Sequence, residues 1–335
     1  MPPDAASLCG QLTVQNGSLL EKVAVYRRGV RRSLALLIPL VVVAAGCMRS
    51  AASPGSGPAG LFDVGGGRQL FMQCQGTGSP TVFIIPGKGS YAEAWNYVVP
   101  WDDPIRSSPY DIILEAHLTP SPDAVQPVVA KTTRVCAYDR PNTRLDGSDR
   151  STPGPQPHPV EQDVDDVVAL INAAHLSGPF VFAAHSYGGL VLDLLARTHP
   201  DLVAGIVMVD GVSEFLPGVG TPQQNSAWER DSAQPPEPGG EAVLVLEAIA
   251  AVQHAPDPPH VPAIVLSADK FAPPEALTSD SYTLAQIHEA NDKLSAALGT
   301  FNVIATGSGH NMMLYQPMFV ADNIIGVVDQ VRRAR

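Results

Sequence analysis

A serine flanked by small residues is the clearest candidate for chemistry in this sequence. Ser186 follows the apolar, β-rich run 180–184 and precedes a helical pattern that starts at Gly188. A turn that joins a strand directly to a helix is so tight that only small side chains fit two positions before and two positions after the serine. Ala184 and Gly188 meet this requirement, although glycine is commoner than alanine at the first of these positions. The pattern predicts a nucleophilic serine whose hydroxyl projects out of the turn.

A serine hydroxyl is a poor nucleophile at neutral pH and needs a general base within hydrogen-bond reach. His310 is our candidate for this base. It follows the predicted strand 302–305 through a Gly/Ser turn. The other eight histidines, of which His185 lies inside the serine turn, are adequately explained by structural roles.

The chain around these residues alternates short apolar runs with amphipathic helices, which is the pattern of βαβ units. With 45% hydrophobic and only 16% charged residues, it can bury a large core. We therefore expect one α/β domain over residues 61–335, with a central sheet and helices on both faces. Two segments break the alternation. Residues 101–131 are expected to form an irregular insertion, and the Pro- and Gly-rich residues 211–259 a small lid.

The chain resembles the α/β-hydrolase superfamily over residues 61–333. Beyond the serine turn, the resemblance rests on three motifs, which are IIPGKGS at 84–90, VCAYDRP at 135–141 and TGSGH at 306–310. The family usually has His-Gly in the first motif, where this chain has Pro86 before Gly87. The resemblance implies an α/β-hydrolase fold with a mostly parallel sheet, and a Ser, acid, His triad in that chain order.

The resemblance leaves two candidates for the acid that orients His310. Asp210 directly follows the predicted strand 206–209, a position that some family members use. Asp269 follows the next strand, where most members have their acid, but it comes about two residues early. We favour Asp210 and keep Asp269 as the alternative, with another carboxylate or a Ser-His dyad as the remaining options. The acid would fix the tautomer of the imidazole and stabilise its charged form.

The resemblance also implies an oxyanion hole and a disulfide. The backbone N–H groups of Tyr187 and Lys88 would stabilise the negative charge on the reacting carbonyl oxygen. Cys74 and Cys136 fall on the second and fourth strands of the domain, which lie side by side in this fold, so we expect a disulfide between them. No metal motif is present, and we expect no cofactor.

The N-terminal residues are predicted to direct export. Four arginines precede a 13-residue apolar run that ends in small residues, which is typical of a signal peptide and too short to span a bilayer comfortably. The end of the run, VAAGC at 43–47, resembles the lipobox of bacterial lipoproteins. We therefore expect a leader at 1–46, lipid on Cys47 and a flexible tether at 47–60. The domain would be anchored to the outer face of the cell membrane, and a secreted form is the alternative.

The net charge of −12 argues against nucleic acid as a partner, because an acidic surface repels phosphate groups. We expect a monomer that hydrolyses a small-molecule or lipid carboxylic ester through an acyl-enzyme on Ser186. An acyltransferase with the same triad is one alternative. A catalytically silent, envelope-binding lipoprotein is another, and the departures at Ala184 and Pro86 are the features that favour it.

Overall fold

The computed structural model describes residues 56–144, 148–235 and 238–334. The predicted leader at 1–46 and the lipidation candidate Cys47 lie outside the described residues. The first strand begins at Ser56. Residues 56–60 therefore belong to the domain, and the predicted tether at 47–60 extends five residues too far.

The regular elements follow one another along the chain with few long gaps. The strands are β1 Ser56–Gly65, β2 Arg68–Gln75, β3 Val82–Ile85, β4 Tyr97–Val98, β5 Thr119–Pro120, β6 Val135–Tyr138, β7 Phe180–His185, β8 Val203–Val209, β9 Ala263–Ala268 and β10 Asn302–Ala305. The α-helices are α1 Val125–Ala130, α2 Val160–Ala173, α3 Gly188–Thr198, α4 Leu216–Val219, α5 Pro222–Ser232, α6 Val245–His254, α7 Leu284–Ala297, α8 Met312–Tyr315 and α9 Pro317–Ala334. Short 3-10 turns occur at Ala92–Asn96, Pro104–Ser107, Ile113–Glu115, Pro200–Leu202 and Pro274–Ala276.

Within the described residues, eight strands form one sheet in the order β1-β2-β6-β3-β7-β8-β9-β10. All pairings from β6 to β10 are parallel, whereas β1 and β2 form an antiparallel hairpin that pairs with β6. This is the mostly parallel sheet that the sequence predicted. Because the parallel strands run in one direction, the loops that follow β3, β7, β8, β9 and β10 all leave the same edge of the sheet, where ligands bind in open α/β folds.

Both faces of the sheet are covered by helices because the side chains of each strand alternate between them. In β3, Phe83 and Ile85 pack under α2, α3 and α6, whereas Val82 and Ile84 pack under α1 and α9. All four side chains are fully buried. The α/β-hydrolase fold predicted from the sequence is thus confirmed, with helices on both faces.

The two segments that break the sequence pattern are more ordered than expected. The insertion at 101–131 contains helix α1, which packs against the sheet, and strand β5, which pairs with β4. The lid at 211–259 contains α4, α5 and α6. Across the described part of the chain, no helix is both long and apolar enough to cross a membrane.

Candidate active site

The serine turn lies where β7 ends and α3 begins. Ser186 has a φ of +54°, a left-handed conformation that is strained for any residue with a side chain. A Cβ on Gly188 would lie 2.6 Å from the carbonyl oxygen of Ile85, so only glycine fits there. The carbonyl oxygen of Ser186 accepts hydrogen bonds from Gly189 N–H at 2.8 Å and Val212 N–H at 2.9 Å. These contacts hold the strained turn in place.

Asp210 and His310 come together at the carboxyl edge of the sheet. Nδ1 of His310 lies 2.6 Å from Oδ2 of Asp210, whose other oxygen accepts a hydrogen bond from Ala268 N–H at 3.0 Å. Burial alone would raise the pKa of Asp210, yet the hydrogen bond and charge of His310 hold it below its usual value. An ionised Asp210 accepts a hydrogen bond from Nδ1–H of His310. The unprotonated Nε2 is then the nitrogen that can act as a base.

Asp269, the alternative acid, lies in a different environment. Its two carboxylate oxygens accept hydrogen bonds from the backbone N–H groups of Gly307 and Ser308, each at 2.9 Å. The carboxylate thus binds the turn that leads to His310 and not the imidazole. Of the two candidates that the sequence left open, Asp210 is the one that contacts His310.

A third carboxylate, which the sequence analysis did not identify, supports His310 from the other side. Oδ2 of Asp111 accepts a hydrogen bond from the backbone N–H of His310 at 2.7 Å, and Oδ1 accepts one from the hydroxyl of Tyr315 at 2.9 Å. Asp111 is buried, and its burial raises its pKa. A Cβ on Gly309 would lie 2.3 Å from this carboxyl group, so the glycine before His310 permits the contact.

The ring of His185 lies behind that of His310, with 4.6 Å between the ring centroids. Burial lowers the pKa of His185 to about 3, so its imidazole is neutral at ordinary pH. Nε2 of the neutral ring can donate a hydrogen bond to the carbonyl oxygen of His310, at 3.0 Å. His185 therefore has a structural role beside the candidate base, as expected from the sequence.

The loop after β3 lies directly against the serine turn. A Cβ on Gly87 would lie 2.8 Å from Cβ of Ser186, which shows how closely the two backbones approach. Lys88 and Tyr187, the residues whose N–H groups were predicted to form the oxyanion hole, follow Gly87 and Ser186 directly in the chain. Both side chains point away from solvent and make other contacts. The Lys88 ammonium binds the lid, and the Tyr187 hydroxyl donates to Asp163 at 3.1 Å.

Ser186, Asp210, His310 and Asp111 line one cavity of about 180 Å³. Its remaining wall is mainly apolar and includes Val212, Leu216, Trp228, Phe271, Ala272, Leu277, Tyr282, Leu284 and Ile287. The lid predicted at 211–259 supplies only part of this wall, because residues between 268 and 291 supply much of the rest. Over the described ranges, no group of three or more His, Cys, Asp or Glu side chains is arranged to hold a metal ion.

Cys74 and Cys136 are joined by a disulfide between β2 and β6. The two residues face each other directly in the antiparallel register of these strands. Neither lines the cavity, so the bond stabilises the sheet at a distance from the candidate site.

The chain belongs to the alpha/beta hydrolase family, whose family model matches residues 82–323. That range contains every residue of the candidate site.

Two solved structures share the fold of this chain, and one curated sequence matches a short part of it. A candidate lipase from Acinetobacter baumannii AYE is 15% identical, with 84% of this chain and 93% of that chain covered and a TM-score of 0.51. Alpha/beta hydrolase domain-containing protein 10 from mouse is 12% identical over 83% of this chain and 100% of that chain, with a TM-score of 0.50. An uncharacterized protein of Schizosaccharomyces pombe is 36% identical over 89 residues, which are 27% of this chain and 16% of that protein. The chain thus spans about a sixth of the length of this curated relative.

Proposed function

We propose that this hydrolase cleaves carboxylic esters through an acyl-enzyme on Ser186. The observation that carries the proposal is the pairing of His310 with Asp210, at 2.6 Å, in the same cavity as a serine with strained, left-handed backbone. A serine nucleophile, a base with a fixed tautomer and a paired carboxylate are the parts that acyl transfer requires. Strain of this kind is retained where it serves to present a reactive group.

In the proposed reaction, Nε2 of His310 takes the proton of Ser186 while Oγ attacks the carbonyl carbon of the ester. Asp210 stabilises the imidazolium that forms, and the N–H groups of Lys88 and Tyr187 stabilise the oxyanion. Collapse of the tetrahedral intermediate breaks the bond to the leaving alcohol, which receives the proton from His310. A water molecule, deprotonated by the same imidazole, then releases the carboxylic acid and restores Ser186.

The cavity favours a substrate with a small apolar acyl or aryl group. Its apolar wall offers few hydrogen-bond partners for a sugar or a peptide, and its volume is about 180 Å³. Since a cavity of about 150 Å³ lined by Leu, Ile and Phe holds benzene, this cavity should accept about four to eight carbons or one phenyl ring.

Three measurements test the proposal. A fluorophosphonate probe should label the wild-type protein and fail to label Ser186→Ala, whereas labelling that persists in the variant would place the nucleophile elsewhere. Hydrolysis of p-nitrophenyl esters from acetate to palmitate should be fastest in the range of about four to eight acyl carbons. An optimum at the longest chains would contradict the proposed substrate class.

Adding an acceptor alcohol separates hydrolysis from acyl transfer, because a transferase would form a new ester instead of the free acid.

We also propose that the enzyme is exported and anchored by lipid at Cys47, on the basis of the arginines, the apolar run and the VAAGC sequence that precede the domain. In a bacterial host, the wild-type protein should partition with membranes and Cys47→Ala with the soluble fraction. Membrane association that survives the substitution would overturn the lipid anchor.

A further inference from the structure

The oxyanion loop, residues 87–90, is a tight turn whose central peptide has a defined orientation. Ser90 N–H donates to the carbonyl oxygen of Gly87 at 3.1 Å, which closes a four-residue turn. Gly89, at the third position, has a φ of +67°, as a type II turn requires. Type I and type II turns differ mainly by a flip of the peptide between the second and third residues. Here that peptide joins Lys88 to Gly89, so the direction of Gly89 N–H reports which turn is present.

A buried carboxylate from the lid accepts the hydrogen bond of this peptide. Oε2 of Glu241 accepts from Gly89 N–H at 2.5 Å, and Oε1 accepts from Nε of Arg140 at 2.8 Å. Arg140 is fully buried and also binds Asp163 at 3.0 Å. The Glu241 carboxylate is therefore fixed at both oxygens. A flipped peptide would turn the carbonyl oxygen of Lys88 towards this negative charge, which would repel it.

The residue before Gly89 is bound to the same lid. Nζ of Lys88 donates to the carbonyl oxygens of Ser232 at 2.7 Å and Gln234 at 3.3 Å, at the end of α5. The Lys88 residue is 3% exposed, so these contacts are shielded from water. Two successive residues of the oxyanion loop are thus bound by the segment that also supplies Leu216 and Trp228 to the cavity wall.

We propose that Glu241 is a positioning residue for the oxyanion hole, because its hydrogen bond to Gly89 N–H fixes the peptide that follows Lys88 and so holds the short backbone segment that carries the Lys88 N–H. The inference rests on the proposed function, since it assumes that Lys88 N–H stabilises the reacting oxygen. Arg140 serves as the buried counter-charge that fixes Glu241. The lid therefore contributes to the chemical step as well as to the wall of the cavity.

Glu241→Gln tests this role, because a glutamine cannot make both contacts. If its amide oxygen accepts from Gly89 N–H, its amino group faces the donors of Arg140, and the reverse orientation leaves Gly89 without an acceptor. We expect kcat to fall about 10- to 100-fold with little change in KM, which is less than the 10²- to 10³-fold loss from deleting an oxyanion donor. The inhibition constant of a trifluoromethyl ketone, which forms a tetrahedral oxyanion on the serine, should rise in proportion. The affinity for the corresponding methyl ketone should not change.

Glu229→Gln is the matched control, because the carboxylate of Glu229 also accepts a hydrogen bond from a backbone N–H within the lid, that of Leu246 at 2.8 Å, instead of from the oxyanion loop. It should leave kcat unchanged. If the glutamine variant does not fold, Glu241→Asp is the second test. Aspartate keeps the charge beside Arg140 but is one methylene too short to reach both partners. The same loss of kcat is expected.

Each kcat is calculated from the concentration of active serine, which fluorophosphonate titration measures. Misfolded protein therefore does not lower the kcat value. Equal losses for Glu229→Gln and the Glu241 variants, or unchanged affinity for the trifluoromethyl ketone, would overturn the role of Glu241. A wild-type protein without esterase activity would instead overturn the proposed function, so the two failures are distinguishable.

Discussion

Nδ1 of His310 lies 2.6 Å from Oδ2 of Asp210, a carboxylate at the end of β8. Asp269, the carboxylate that follows β9, instead binds the turn that leads to His310. Asp210 itself has a φ of +45°, so it leaves the strand in a left-handed turn. Its N–H donates to the carbonyl oxygen of Leu266 at 2.8 Å, which continues the ladder with β9. The backbone that presents the acid is therefore held by the sheet, and within the described ranges its carboxylate hydrogen-bonds to the Ala268 N–H and the imidazole.

Asp210→Asn should reduce kcat by about 10⁴, because the amide cannot hold the imidazole in the tautomer with a proton on Nδ1 and cannot stabilise its charge. The rate of ester hydrolysis by the purified variant measures this loss. Asp269→Asn is the control, because that carboxylate binds the N–H groups of Gly307 and Ser308 and should affect turnover far less. Equal losses in the two variants would argue against Asp210 as the orienting acid.

The acid limb of the pH–rate profile, where the rate falls as the pH falls, should follow the protonation of the His310 imidazole. Burial lowers the pKa of this imidazole, but the hydrogen bond and charge of Asp210, together with the charge of Asp111, outweigh it and raise the pKa above its usual value of about 6.5. Only the neutral imidazole can act as a base, so kcat/KM should fall as pH falls, with a midpoint above about 6.5. His185, with its pKa lowered to about 3, does not contribute to this limb. A midpoint below that of an ordinary histidine would contradict the proposed base.

Asp111→Asn should move the same limb to lower pH, because it removes one of the negative charges that raise the pKa of His310. The asparagine has a single acceptor oxygen, whereas the carboxylate accepts from His310 N–H at one oxygen and from the Tyr315 hydroxyl and Ile113 N–H at the other. Leaving one of these buried donors without an acceptor should also lower the free energy of unfolding by about 1–3 kcal/mol. A pH series of kcat/KM and a urea titration measure the two effects. If the midpoint of the acid limb is unchanged in the variant, Asp111 has a structural role only.

The sequence predicted the parts of this site that depend on local backbone geometry. The turn around Ser186 requires small neighbours, because larger side chains would clash with nearby residues or with the adjacent strand. Such steric limits restrict the residue types at these positions and can therefore be read from the sequence. Gly188 is one example, since its Cβ would meet the carbonyl oxygen of Ile85. The α/β class was expected from the alternation of strands and helices, and the mostly parallel sheet from the resemblance to the α/β-hydrolase superfamily.

The parts that depend on distant contacts could not be predicted. Asp111 binds a residue 199 positions away, and Glu241 binds an arginine 101 positions away, from segments without a periodic pattern. Asp210 and Asp269 both follow strands at the same edge of the sheet, so their side-chain directions alone distinguish them. Gly309 was a signal for Asp111, because a glycine next to the candidate base His310 indicates a close neighbour without identifying it.

The disulfide between Cys74 and Cys136 should contribute to stability without affecting catalysis. The two cysteines are 62 positions apart, and closing a loop of this length lowers the entropy of the unfolded chain by an amount worth about 4 kcal/mol. Dithiothreitol should therefore lower the free energy of unfolding of the wild-type protein by about that amount, while turnover at 25 °C stays constant because neither cysteine lines the cavity. The double variant Cys74→Ala, Cys136→Ala is the control, since dithiothreitol should leave its unfolding curve unchanged. An intact mass that carries two extra hydrogens before reduction, together with no change in unfolding, would show that the thiols are free. Stability would then rest on the packing of β2 against β6 alone.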